Sequence, residues 1–316
     1  MSDVFTLAHL SDIHLPPLPR LHLRHANLKR ILGFLNWHRG RKHAHLVGTL
    51  AEIVMDLELQ MPDHVAVTGD LANVGTPAEF VAATDWLKTL GAPSHVSVVP
   101  GNHDLYTRLR NDIGIGRWGA YMTPNAAGAA LSAPAAMVFP FVRRFGDVAL
   151  VGINSAKPTR PFYAGGRVGG DQLLGLAHVL QTLGQRGVFR VVLIHHPPLP
   201  GLARPSKALE DAAEVEHVLT THGAELVLYG HNHVSRISYR HHATGDGVMA
   251  VVGVPSASVG RPHGHDMLAR YHLFNIEADA GLGPRVELVA RGLAAPGGPV
   301  MEIERRTILP ARPPEA

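Results

Sequence analysis

His95-Val96-Ser97-Val98-Val99-Pro100-Gly101-Asn102-His103-Asp104 is a short β-branched run that halts at Pro and Gly and ends in three polar side chains. Such a run, bounded by turn formers, reads as a buried strand with its chemistry at the carboxyl end. The same grammar recurs along the chain. Val4–Leu10 leads into Asp12-Ile13-His14, and His64–Thr68 into Gly69-Asp70. Arg190–Ile194 leads into His195-His196-Pro197, and Glu225–Tyr229 into Gly230-His231-Asn232-His233. Side chains of metal-ligand type therefore fall repeatedly just past strand ends, which is where ligands bind in open α/β sheets.

The segments between these runs carry helical periodicity. A pattern over Leu46–Leu59 leads into the strand ending at Asp70. Pro77 suits the first position of a helix that runs to Leu90 and stops at Gly91. Asp171–Leu183 and Asp211–His222 give two more helices, each followed by a strand. Val148–Ile153, Met249–Val254, Tyr271–Ile276 and Arg285–Ala290 read as further strands, and Thr107–Pro140 as an irregular excursion. This alternation predicts a layered α/β fold. We expect one domain over residues 1–304, with an inserted basic segment at about 16–45 and a disordered tail at 305–316.

With 316 residues, 46% of them hydrophobic and 17% charged, the chain can build a sizeable core. It has no cysteine, which excludes disulfides and thiolate metal sites and fits a reducing compartment. No signal-peptide pattern or membrane-length apolar run is visible, so a cytoplasmic location, peripheral to the membrane at most, is expected. The net charge of +3 is local. Between Asp12 and Glu52 there is no acidic residue, while Arg20, Arg24, Lys29, Arg30, Arg39, Arg41 and Lys42 all lie there.

Asp, His and an Asn amide oxygen together form a mixed O/N ligand set. Such a set suits Mn²⁺, Fe or Zn²⁺ better than the all-oxygen cage of Ca²⁺. Asp-x-His and His-x-His put alternate side chains on one side of an extended segment, so each pair can aim two ligands at one place. Asp70, alone at its strand end, is the natural carboxylate bridge between two ions.

In their order and strand context the five motifs resemble the calcineurin-like metallophosphoesterase superfamily, and within it the bacterial class III phosphodiesterases. The resemblance spans about residues 4–260. It implies a four-layer α/β/β/α sandwich, two packed β-sheets flanked by helices. It also implies two metal ions (Mn²⁺ and/or Fe, with Zn²⁺ as an alternative) and hydrolysis of a phosphodiester by a metal-bridging hydroxide. Carried over by position, Asp12, His14 and His233 bind the first ion, Asp70 bridges, and Asn102, His195 and His231 bind the second. His103 contacts the phosphate and protonates the leaving oxygen, oriented by Asp104. His196 points away or lines the pocket.

Outside the motifs, His9 and His64 read as satisfied histidines within strands. His263 and His265 follow a loop and lie within reach of a substrate, as Asn102 and His196 would. His22, His25, His38, His43 and His45 read as a solvated basic face, and Asn154 as a turn residue or a support of the site. In the basic segment, Leu28, Ile31, Leu32 and Leu35 recur at helical spacing with Lys29, Arg30 and Asn36 opposite. That is either a helix with its apolar face on the core or a lid that meets an anionic substrate or a membrane surface. The family's members make a cyclic nucleotide or glycerophosphodiester the expected substrate. The basic segment favours instead a lipid-linked phosphodiester, or a pyrophosphate of the UDP-diacylglucosamine type, although lipid-A-pathway hydrolases of the superfamily often carry arginine where His103 stands. Nucleic acid is disfavoured, because the charge is confined to one segment. A nuclease and a non-catalytic metal-binding scaffold are the remaining alternatives, and oligomeric state is not legible.

Overall fold

In the computed structural model the described residues are 4–109, 112–131, 138–245, 247–278 and 283–309. The apolar runs of the sequence become strands of two six-stranded sheets. In the first, β1 (Phe5–Leu10), β2 (His64–Val67) and β3 (Val96–Val98) run parallel. The sheet continues antiparallel from β1 through β10 (Arg270–Glu277) and β11 (Arg285–Leu293) to β12 (Val300–Leu309). In the second, β5 (Val148–Gly152), β6 (Phe189–Leu193), β7 (Leu226–Tyr229) and β9 (Val248–Gly253) run parallel. Antiparallel β4 (Phe141–Phe145) and β8 (Arg236–His241) form its edges.

The two-residue period of β6 assigns its faces. Val191 and Leu193 face the first sheet, together with Leu150 and Leu228. Val192 and Ile194 face outward, onto Val179 and Leu183 of α6 (Gly170–Gln185) and Val215 and Leu219 of α7 (Ala212–His222). On the other face of the first sheet, Val67 joins Ile53 of α3 (Val47–Leu59) and Phe80 and Leu87 of α4 (Pro77–Leu90), the helices that flank that sheet. The result is the expected four-layer sandwich. Helix α4 starts and stops as read. Thr76 and Glu79 form a capping box, Pro77 opens the helix and Gly91 ends it. Within 107–140, the described residues hold a 3₁₀ helix at Gly114–Met122 and the short α5 (Ala126–Ala129). Buried Arg143 ties that excursion to the fold by donating to the carbonyls of Ala120, Thr123 and Val96.

One expectation fails, and one of two alternatives drops out. Residues 305–309 are not a tail: they belong to β12, where Arg305 pairs with Glu287 of β11 at 2.7 Å. Residues 310–316 lie outside the described residues. The strand escapes notice because it is an edge, exposed and charged, with no apolar alternation. Helix α1 (Leu28–Asn36) is also reversed relative to the core-facing reading. Lys29 and Arg30 turn inward, while Leu28, Ile31 and Leu35 are exposed.

Candidate metal centre

The carboxyl ends of β1, β2, β3, β6 and β7 meet along one edge of the sandwich. Here five of the motif residues, Asp12 (φ 53°), His14 (42°), Asp70 (56°), His231 (70°) and His233 (56°), adopt left-handed backbone. Asp and His tolerate this region better than bulkier residues, but it still costs about 1–3 kcal/mol each and persists only where the surroundings enforce it. The enforcement is explicit. The amide of Asp12 donates to the Gly69 carbonyl at 3.0 Å, that of His14 to the Asp70 carbonyl at 2.8 Å, and that of His231 to Asp12 Oδ2 at 2.9 Å. The β2 and β3 loops touch backbone to backbone, since a Cβ on Gly69 would lie 2.4 Å from the Gly101 amide nitrogen. Glycine there serves the approach of one loop to the other.

Each imidazole at the centre has one nitrogen fixed from behind and the other turned inward. His14 Nδ1 donates to the Ala72 carbonyl (3.2 Å), His195 Nδ1 to that of Thr68 (2.7 Å) and His231 Nε2 to that of Lys207 (2.9 Å). His233 Nδ1 lies 3.3 Å from the Asp266 carboxylate. Such outer partners fix the tautomer and aim the free lone pair. The inward atoms form two groups. Around Asp12 Oδ1 stand His233 Nε2 at 3.2 Å and, 3.4 Å beyond it, His14 Nε2. Around His195 Nε2 stand Asn102 Oδ1 at 3.1 Å, His231 Nδ1 at 3.2 Å and Asp70 Oδ2 at 3.4 Å. Asp70 Oδ2 is also 3.8 Å from His14 Nε2, so one carboxylate lies between the groups.

This crowd of acceptors needs positive charge. Asp12 Oδ1 is buried and has no hydrogen-bond partner among the described residues. Burial opposes protonation of His195 and His233, yet the facing carboxylates win: Asp70 raises His195 to about 9, and Asp12 with Asp266 raises His233 to about 9. Burial likewise acts to raise the Asp70 carboxyl, and the charges of His195 and His103 hold it far below the usual range. The donor set therefore fits cations, and its oxygen and imidazole mixture fits transition-metal ions.

Other expected residues separate. His103 belongs to the centre: its ring meets that of His14 edge-on at 4.8 Å and stacks on Tyr106 at 5.3 Å. Its Nδ1 donates to the Asn73 carbonyl, not to Asp104. Asp104 instead accepts from the amides of Asp70 (2.8 Å), Ala72 (2.9 Å) and Gly101 (2.9 Å), so it ties the two loops together behind the site. The Asn73 turn is in turn held by Glu79, which accepts from the amides of Asn73 and Val74. His196 is excluded from substrate contact. It is buried, with Nδ1 on Ser155 Oγ at 2.8 Å and Nε2 on the Ala164 carbonyl at 3.1 Å. His45 is no solvated residue: it is buried under Trp37, with Nδ1 2.7 Å from Ser258 Oγ. Asn154 is a turn residue, its Oδ1 accepting from the Ala156 amide. His9 and His64 are core histidines as read, set against Thr68 and Ser97 hydroxyls at 2.8 Å.

A cleft of about 740 Å³ opens over the centre, with His14, Asp70 and His233 in its lining and His263 and His265 on a wall. Arg41 lines it as well, facing Asp70, Asp266 and Asp12; burial lowers its guanidinium and those carboxylates act to raise it. No motif carries Arg41. Only its place in the acid-free basic segment signalled it, and a π-turn at Trp37–Arg41 directs it inward.

Residues 5–235 match the model of the calcineurin-like phosphoesterase family. The chain belongs to that family. Among curated proteins, this phosphoesterase is 28% identical over 212 residues to a Synechococcus protein named "Probable cyclic nucleotide phosphodiesterase", covering 66% of the chain and 70% of the relative. It is 34% identical over 100 residues to the glycerophosphodiester phosphodiesterase GpdQ of Enterobacter lignolyticus, covering 31% and 29% of the two. A Danio rerio dimetal phosphatase shares the fold with TM-score 0.58 at 15% identity, over 97% of this chain and 99% of that one. A yellow lupin purple acid phosphatase does so with TM-score 0.54 at 14% identity, over 98% and 54%.

Proposed function

We propose that the phosphoesterase hydrolyses phosphodiesters at a two-metal centre. The observation that carries this is the pair of ligand groups sharing Asp70 between them. Asp12, His14 and His233 would hold one ion, Asn102, His195 and His231 the other, and Asp70 both. Mn²⁺ and/or Fe suit this set best, with Zn²⁺ as the alternative. When bound, the ions activate water and neutralise charge on the phosphoryl oxygens.

The chain's own groups do the rest. Burial, with Arg41 adding to it, lowers His103 to about 4 although Asp70 acts to raise it, so the free site holds this imidazole neutral. Its Nδ1 keeps its proton and donates it to the Asn73 carbonyl, and Nε2 remains for the substrate. An anionic phosphodiester beside it favours the imidazolium, which can then pass a proton from Nε2 to the departing oxygen. Arg41 is placed to bind a phosphoryl oxygen. His263 and His265 on the cleft wall, and Asn102 beside the centre, would contact the substrate.

Preference for a diester is supported by shape. A second cleft of about 460 Å³ shares Asn102 and His103 with the first and is lined further by Leu32 and Phe162, which the first does not reach. Two branches leaving one reactive position accommodate the two organic groups of a diester. The names of the two curated relatives agree. The test is Mn²⁺-dependent turnover of bis(p-nitrophenyl) phosphate against p-nitrophenyl phosphate, with and without chelator. Chelator-sensitive preference for the diester is expected. Preference for the monoester would reduce the reading to a phosphatase, and silence toward both by metal-loaded protein would leave a scaffold.

A further inference from the structure

Helix α1 is an amphipathic helix worn inside out. Lys29 and Arg30 are 9% and 4% exposed, whereas Leu28, Ile31 and Leu35 on the opposite stripe are 67%, 44% and 44% exposed. The inward cations are fully engaged. Lys29 Nζ donates to the Tyr106 carbonyl (2.9 Å) and Thr159 Oγ1 (2.8 Å), and Arg30 to the carbonyls of Val74, His25 and Gly75. Contact on that side is tight, since a Cβ on Gly33 would lie 2.6 Å from Tyr106 Oη. The inversion is thus built into the fold, and the apolar stripe is left in water, where such a stripe normally would be buried.

Across the second cleft, Phe162 repeats the pattern. It is 89% exposed and has φ 63°, a conformation that bulky residues rarely adopt and that marks functional sites when it persists. Leu35 and Phe162 both line the cleft that begins at Asn102 and His103. In the same segment, which has no carboxylate between Asp12 and Glu52, Arg20, Arg24, Arg39 and Lys42 are exposed, and Arg39 lines this cleft beside Leu35 and Phe162. Asp112, beside His25, is paired with Arg117 at 2.9 Å.

An apolar stripe flanked by exposed cations complements an anionic bilayer, in which leucines enter the acyl boundary and cations meet the headgroups. We propose that α1 and Phe162 seat the mouth of the catalytic cleft on an anionic phospholipid surface, so that the diester drawn to the centre is a lipid headgroup phosphodiester. The substrate half of this rests on the phosphodiesterase reading; the docking half does not.

The test is sedimentation of the full chain with vesicles of phosphatidylcholine alone or mixed equally with phosphatidylglycerol, beside turnover of bis(p-nitrophenyl) phosphate. Binding to the anionic vesicles only, weakened by salt, is expected. Leu28→Asp with Ile31→Asp should lose at least about tenfold of that binding and keep soluble-diester turnover, because neither residue lines the catalytic clefts. Arg20→Glu with Arg24→Glu should also lose at least roughly 25-fold, at about fivefold per cation. Wild-type protein left in the supernatant, or a Leu28/Ile31 variant that binds like wild type, would overturn the docking. So would a dimer abolished by that variant without vesicle binding, which would assign the face to a second copy. Vesicle binding without any diester turnover would support docking while removing the catalytic reading, and turnover of the soluble diester with intact vesicle headgroups would overturn the substrate half.

Discussion

His195, just past β6, and His272, inside β10, are both fully buried, yet they are different chemical objects. His195 has one nitrogen on a backbone carbonyl and the other among Asp70, Asn102 and His231. His272 lies opposite His9 across the sheet, packs against Phe274, and has neither ring nitrogen bonded among the described residues. The carboxylate beside His195 raises it to about 9, while burial, with Arg270 adding to it, lowers His272 to about 3. Residue type and burial do not separate a candidate ligand from a core histidine. Position at a strand end, and the company of carboxylates, do.

The comparison breaks most visibly at the shared carboxylate. Asp70→Ala should lower diester turnover by on the order of 10³-fold or more, because both ions lose a ligand. Metal titration by calorimetry should then give two weakened sites, and one intact site would remove the bridging role. His103→Ala should retain metal and lose about 10²-fold in kcat. The loss should be greatest for diesters with poor leaving groups, and a uniform loss across leaving groups would refute proton donation. Arg41→Ala should cost roughly 10- to 10²-fold in kcat/KM with metal content unchanged, as expected for one lost charged contact to a phosphoryl oxygen.

The core histidines should reveal themselves through acid. Burial, helped by Arg143, lowers His64 to about 3, and His272 stands at about 3, both below the ordinary 6.5. Between pH 6.5 and 3 the unfolded chain binds protons that the folded chain refuses. Stability therefore falls as pH falls through that window, by about 1.4 kcal/mol per pH unit for each such histidine. Urea unfolding at neutral pH and at pH near 5 checks the slope, and equal midpoints would contradict it. The smallest effect is expected from His272→Leu. It removes an unbonded buried polar ring and should stabilise the fold by about 1 kcal/mol at neutral pH while flattening the pH slope.

What the sequence made legible were features that speak locally. The parallel strands at the sheet centres are buried on both faces and stand out as unbroken apolar runs, so the polar residues that end them stand out too. The edge strands β8 and β12 are exposed and charged, and their pairing depends on distant partners. Asn73 acts on His103 through its carbonyl, a group every residue owns and no motif records. Asp104 sits next to His103 in the chain, but three backbone amides claim its carboxylate. Helix α1 carries the right period, but its inward face is not legible, because backbone carbonyls of distant segments outbid solvent for Lys29 and Arg30.

The most direct measurement is anomalous diffraction from Mn²⁺-soaked crystals. Two peaks should flank the Asp70 carboxylate, one against Asp12, His14 and His233 and the other against Asn102, His195 and His231. A single peak, or a peak held by His196 in place of Asp70, would contradict it.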